Sequence, residues 1–203
     1  SNPLTVTVNN VSAGTIASNQ TICTGGDPAL ITNTIVPTGT GTLSYLWHTS
    51  TTNTVGSFSP ISGATSATYD PPAGQTITTY YQLVATSTLN GVSCSATSSS
   101  ITISVNTINP GVIAANQTIC SGGNPANITA STAATGSGAL TYAWQSSTTN
   151  ATSGFAPIVG ATLASYDPPV GLTATTYYQV TVTSTLNGIA CSATTNAITV
   201  TIN

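Results

Sequence analysis

Residues 78–94 read TTYYQLVATSTLNGVSC, and residues 175–191 read TTYYQVTVTSTLNGIAC. Tyr81, Leu83 and Ala85 alternate with Tyr80, Gln82 and Val84, the period of two that marks a strand with two distinct faces. The second copy keeps the first row as Tyr178, Val180 and Val182. Asn90-Gly91 and Asn187-Gly188 follow, and Asn-Gly is the strongest short hairpin signal because both turn positions of a type I′ turn need positive φ. A long strand and a tight hairpin, written twice, set an antiparallel all-β expectation.

Working outward, the whole chain repeats at a spacing of 97 residues: Cys23 falls on Cys120, Trp47 on Trp144, Asp70 on Asp167 and Cys94 on Cys191. Gly14–Val105 aligns with Gly111–Ile202 without a gap. Leu43, Tyr45 and Trp47 recur as Leu140, Tyr142 and Trp144, so that row is expected to face a core. On the other face Ser44, Leu46 and His48 become Thr141, Ala143 and Gln145, a row that tolerates polar change. Closing strands are expected at Ile101, Ile103, Val105 and at Ile198, Val200, Ile202, with further strands near Ala29–Ile35 and Thr65–Tyr69. No amphipathic helix can be drawn. About seven short strands in each copy, separated by Gly-rich turns, predict two antiparallel β-sandwiches.

Leu4, Val6 and Val8 repeat the closing-strand pattern a third time. The expected division is therefore 1–9 as the closing strand of a preceding module or a linker, 10–106 as the first module and 107–203 as the second. A longer protein with at least three modules follows from that reading; the alternative is a polymer in which Leu4, Val6 and Val8 complete a neighbouring molecule by strand donation.

The chain has no Lys or Arg, three Asp, no Glu and one His, and 39 % of its residues are hydrophobic. Phosphate neutralisation needs cations, so nucleic-acid binding is not expected. Ser, Thr, Asn and Gly interrupt every apolar run well short of the ~20 residues a spanning helix needs, so membrane insertion is not expected either. A formal charge of −3 gives little repulsion between molecules and favours side-by-side association.

Each copy has two cysteines, 71 residues apart in both. Four cysteines allow three pairings. The repeat favours Cys23–Cys94 and Cys120–Cys191, each closing a loop worth about 4 kcal/mol in the chain-entropy model; two buried free thiols per module are the alternative. Disulfides place the chain outside the cytoplasm.

The ordered strings QTIC-[TS]-GG, Y-x-W, GAT-xxx-YDPP, TTYYQ, NG-xx-C and IT-[IV]-x-[VI] occur in both copies. Together they resemble the immunoglobulin-like repeats of very large Bacteroidetes surface proteins, including gliding-motility adhesins exported by the type-nine secretion system. The resemblance implies two tandem immunoglobulin-like modules in an extracellular or cell-surface fibre that holds an adhesive tip away from the cell. Such repeats usually carry some Lys, Arg and Glu, and this chain departs from them there.

Chemical candidates are few. Asp70 and Asp167 precede two prolines, which suits a turn residue; calcium wants six to eight oxygens, and only Asp27 could add a carboxylate. No metal or cofactor is therefore expected. His48 is replaced by Gln145 in the second copy, so no catalytic set forms and the chain is expected not to be an enzyme. Tyr80, Tyr177, Gln82 and Gln179 are expected on the outer face, as a surface contact between fibres or a platform for surface glycans. Three functions remain: a spacer in a repetitive adhesin, a self-assembling filament or sheath subunit, and a glycan-binding module.

Overall fold

The structure, a computed structural model, describes residues 3–203. Every regular element among them is a strand. The chain divides into two compact units between Val105 and Asn106.

In the first unit the larger sheet runs Gln20–Cys23, Ile101–Asn106, Thr79–Leu89, Thr42–Ser50 and Ser59–Pro60. Val92–Thr97 also pairs with Thr79–Leu89 through the hairpin. Thr79–Leu89 is thus the hub, and it alternates as its sequence requires: Tyr81, Leu83, Ala85 and Ser87 are buried and their neighbours are not. Asn90 and Gly91 take φ of 50° and 80°, and Asn187 and Gly188 take 49° and 82°, the left-handed values of the expected turn.

The facing layer is built of short pieces: Thr15–Ile16 pairs with Asn33–Ile35, and Ile31 bridges Tyr69. The strand expected at Thr65–Tyr69 shrinks to that bridge. One cause is local, since the Ser66 carbonyl accepts the indole N–H of Trp47 at 3.0 Å instead of serving a strand ladder. Ile16 and Ile31 from this layer close over Trp47, Tyr81, Leu83, Ile101 and Ile103 from the larger sheet. Tyr69 stands between Trp47 and Tyr81, with ring centroids 5.6 and 5.5 Å away.

The second unit repeats this design. Its sheet runs Gln117–Ile119, Ile198–Ile202, Thr176–Leu186, Ala139–Ser147 and Ala156–Pro157. Ile113 and Ile128 close over Trp144, Tyr178, Val180, Val182, Ile198 and Val200. Gln117–Ile119 pairs parallel to Ile198–Ile202, whereas the other pairings in that sheet are antiparallel.

The last strand of each unit is interrupted by one hydroxyl residue. Ser98 donates its N–H to the Leu83 carbonyl at 2.9 Å, and its Oγ accepts the Leu83 N–H at 3.0 Å. Thr195 does the same with Val180, at 3.0 and 3.1 Å. A side-chain oxygen therefore replaces a ladder carbonyl, and the strand resumes as Ile101–Asn106 or Ile198–Ile202.

Residues 3–8 lie outside every strand, and Leu4, Val6 and Val8 are 92 %, 81 % and 65 % exposed. The Asn106 side chain, at the start of the second unit, is bonded into that unit through Ser184.

Candidate functional site

Both units carry the same polar network where the chain comes in, here termed the leading end. Asn9 donates through Nδ2 to the carbonyls of Ser87 (2.7 Å) and Val92 (2.8 Å), and its Oδ1 accepts the Ser87 hydroxyl at 2.7 Å. The Ser87 Oγ in turn accepts the Gly41 N–H at 2.9 Å. In the second unit Asn106 donates to Ser184 (2.8 Å) and Ile189 (2.9 Å), the Ser184 hydroxyl donates back at 2.7 Å, and Gly138 N–H donates to Ser184 at 2.9 Å.

Ser87 and Ser184 are fully buried, so these bonds answer a desolvation cost as well as fixing geometry. Gly41 and Gly138 are required by close approach: a Cβ there would collide with the backbone carbonyls of Thr88 and Thr185. The sequence reading missed this network. Its signal was the pair Asn9 and Asn106 in phase with the Gly-x-Gly strings at residues 39–41 and 136–138.

The cysteines sit at opposite ends of each unit. Cys94 lies opposite Ser87, and Cys191 opposite Ser184, next to the leading-end network. Cys120 follows Ile119, whose strand partner is Ile202, at the trailing end where the chain leaves. Val200 pairs with Thr176, so Cys120 stands near the level of Ala174, about ten residues or roughly 33 Å along the hub strand from Ser184. In the first unit Gly25 and Gly26 bond residues Gln75 and Gly74, below the start of Thr79–Leu89, while Cys94 is beside its far half.

A disulfide needs Cα atoms within about 7 Å. The expected pairs Cys23–Cys94 and Cys120–Cys191 are therefore corrected: neither can close within a module. Cys94 and Cys120 carry free thiols, and Cys23 and Cys191 are disulfide-bonded.

Tyr80 and Tyr177 are half-buried on the outward face beside Gln82 and Gln179. The amides are used differently: Gln179 Nε2 donates to Gln145 Oε1 at 2.7 Å, whereas Gln82 faces His48 across the sheet and borders a recess with Phe58 and Ser100. A recess found in both units lies elsewhere, against Tyr69 and Asp70 and against Tyr166 and Asp167. Burial raises the pKa of Tyr69 and Tyr166, and the adjacent carboxylates raise it further. Tyr178 is pushed up to about 12, by burial first and by Tyr166 second. Asp27, Asp70 and Asp167 are exposed, and among the described residues no three His, Cys, Asp or Glu gather as a metal site. No helix of the described residues is long and apolar enough to cross a membrane.

The fold and its repeated end network define a tandem pair of immunoglobulin-like β-sandwich modules. The chain belongs to the family described as "Domain of unknown function (DUF8696)", which matches it twice, over residues 12–107 and 109–203. Three N-terminal domains of the bacteriophage RB49 Highly Immunogenic Outer Capsid protein (Hoc) are similar in fold, with a TM-score of 0.50 and 12 % identity over 96 % of this chain and 70 % of that one. Drosophila OTK, extracellular domains 3–5, gives a TM-score of 0.44 and 10 % identity over 97 % of this chain and 62 % of that one. No curated protein sequence matches the chain.

Proposed function

We propose that this chain is a run of non-catalytic spacer modules from an extracellular, repetitive surface protein of the adhesin type that its sequence resembles. The observation that carries this reading is which residues the two modules share. Those that build a module are kept: Trp47 and Trp144, Tyr69 and Tyr166, Asn9 and Asn106, Ser87 and Ser184, Gly41 and Gly138. The one imidazole and one of the carboxylates are not shared: His48 becomes Gln145 and Asp27 becomes Asn124, so a catalytic set built on either could not recur in both modules.

The disulfide-bonded state of Cys23 and Cys191 supports an oxidising compartment outside the cytoplasm. The exposure of Leu4, Val6 and Val8 supports reading residues 3–8 as the closing strand of a further module. Antibody labelling of intact cells tests the proposal: surface signal along extended appendages is expected, and a purely cytoplasmic signal would sink it. The filament alternative is separated by sedimentation of the purified chain. Polymers that disperse when Leu4, Val6 and Val8 are all changed to Ser would favour strand donation over a spacer.

A further inference from the structure

The outward side of the first module's larger sheet carries a recess whose polar groups the module leaves unused. Its volume is about 400 Å³, and Asn53, Val55, Phe58, Gln82, Thr97 and Ser100 wall it. Small-molecule sites span about 300–1,000 Å³ and combine apolar surface with a few converging polar groups. The loop between Thr42–Ser50 and Ser59–Pro60 supplies Asn53, Val55 and Phe58, and the hub strand supplies Gln82. Thr97 ends the returning hairpin strand, and Ser100 lies in the break before Ile101–Asn106.

Strand register sets the placement. Gln82 stands opposite His48, and Val84 stands opposite Thr97, so the outward row of the hub strand runs into the recess. Asn53 fastens the loop to the far wall, because its Oδ1 accepts the Ser100 hydroxyl at 2.8 Å.

The second module is the comparison, and there the same positions are bonded among themselves. Gln179 donates to Gln145 at 2.7 Å, where the first module has Gln82 and His48. The Thr194 hydroxyl pairs with that of Thr181 at 3.1 Å; their counterparts are Thr97 and Val84, and a valine offers no such partner. Asn150 turns onto its own loop and accepts the N–H groups of Thr152 and Ser153 at 2.8 and 2.7 Å, whereas its counterpart Asn53 reaches to Ser100. Ser100 itself becomes Ala197. In the first module the Gln82 amide, the Thr97 hydroxyl and the Asn53 Nδ2 hydrogen-bond to none of the described residues.

The groups left over suit one chemistry. A side-chain amide and a hydroxyl each offer both a donor and an acceptor, as the hydroxyls of a sugar require. Phe58 and Val55 add apolar surface against which the C–H face of a sugar ring can lie. No Asp, Glu, Lys or Arg lines the recess, so a charged ligand finds no counter-charge there.

We infer that this recess is a binding site for a neutral saccharide, present on the first module and closed on itself in the second. The sugar ring lies against Phe58, Gln82 and Thr97 bond its hydroxyls, and the Asn53 Nδ2 donates to a further sugar oxygen. The site adds to the spacer role and does not depend on it, so its loss would leave that reading as it stands.

The test is a titration of the isotope-labelled full chain with the methyl glycosides of glucose, galactose, mannose and N-acetylglucosamine, and with cellobiose and lactose. Nuclear magnetic resonance reads the side-chain amides of Gln82, Asn53 and Gln179 directly. At least one of these sugars is expected to shift the Gln82 and Asn53 amides saturably and to leave Gln179 unmoved. Gln82→Leu should weaken that binding about tenfold, the scale of a lost amide donor and acceptor together. Thr97→Val, which removes a hydroxyl at nearly constant shape, should weaken it severalfold, and Gln179→Leu should leave it unchanged. The melting temperature of each variant shows that the fold is kept, and the wild-type amide shifts stand without any variant. The proposal is overturned if none of the sugars gives a saturable shift. It is equally overturned if binding survives both Gln82→Leu and Thr97→Val, or if Gln179 shifts as much as Gln82.

Discussion

Asn106 and Ser184 exchange hydrogen bonds in both directions, the Asn106 Nδ2 to the Ser184 carbonyl at 2.8 Å and the Ser184 hydroxyl to the Asn106 Oδ1 at 2.7 Å. Both residues are fully buried. Truncating one partner leaves a buried hydroxyl and a buried carbonyl unsatisfied, at about 1–3 kcal/mol each. Asn106→Ala should lower the melting temperature of the second module and leave the first module's transition unchanged. Calorimetry of the variant, resolved into two transitions, checks this. Equal loss in both transitions would contradict it.

Trp47 and Trp144 are each buried to 0 % exposure under a tyrosine ring. Trp47→Ala should cost about 3–5 kcal/mol, the usual range for emptying a buried aromatic site. Denaturant titration followed by the remaining Trp144 fluorescence should show the second module nearly unaffected.

Gly41→Ala should destabilise the first module although it adds only one methyl group. The new Cβ meets the Thr88 backbone carbonyl, which cannot move without breaking the hairpin ladder. Gly91→Ala has open space around its Cβ but a φ of 80°, so its cost comes from backbone strain alone. The Gly41 variant is expected to melt lower than the Gly91 variant, and thermal denaturation of the two decides it.

The buried tyrosines set the alkaline limit. Tyr178 has its pKa pushed up to about 12, above the ordinary value of 10.0, because burial disfavours tyrosinate. A raised pKa in the folded state means that the folded chain holds its proton where the unfolded chain has lost it. Stability is therefore complete below pH ~10 and falls as pH rises through ~10 to ~12. Melting temperature against pH should be flat through neutrality and drop across that window, and Tyr178→Phe should lessen the drop.

Chelation of divalent metal should leave both transitions in place, since the three exposed aspartates are not gathered into one group. A large fall in melting temperature on adding chelator would show a metal site.

Much of the fold was legible in alternation and repetition. The rows Leu43-Tyr45-Trp47 and Tyr81-Leu83-Ala85 face inward as their periodicity requires, and Asn90-Gly91 makes the turn its chemistry allows. The cysteine partners were not legible, for a reason intrinsic to repeats. A 97-residue translation preserves the spacing of a within-module pair and of a between-module pair equally, so equal spacing cannot choose between them. Strand order and register, which place Cys120 and Cys191 at opposite ends of Thr176–Leu186, exclude the within-module pair. The Asn9 and Asn106 network was hidden differently. A buried asparagine looks like any other in a chain rich in Asn, Ser and Thr, and its burial depends on contacts 78 and 83 residues away.

The place of the final strand governs how each module comes into being. Ile198–Ile202 is the last element made, yet it lies inside the sheet, between Gln117–Ile119 and Thr176–Leu186. Gln117 cannot find Val200 until more than eighty further residues have been synthesised, and such distant pairings form late. A nascent module therefore lacks an inner strand of its larger sheet until its last few residues have been made. Maturation then proceeds in module-sized steps, and a chain cut five residues short of Asn203 loses an inner strand of that sheet rather than a dispensable tail.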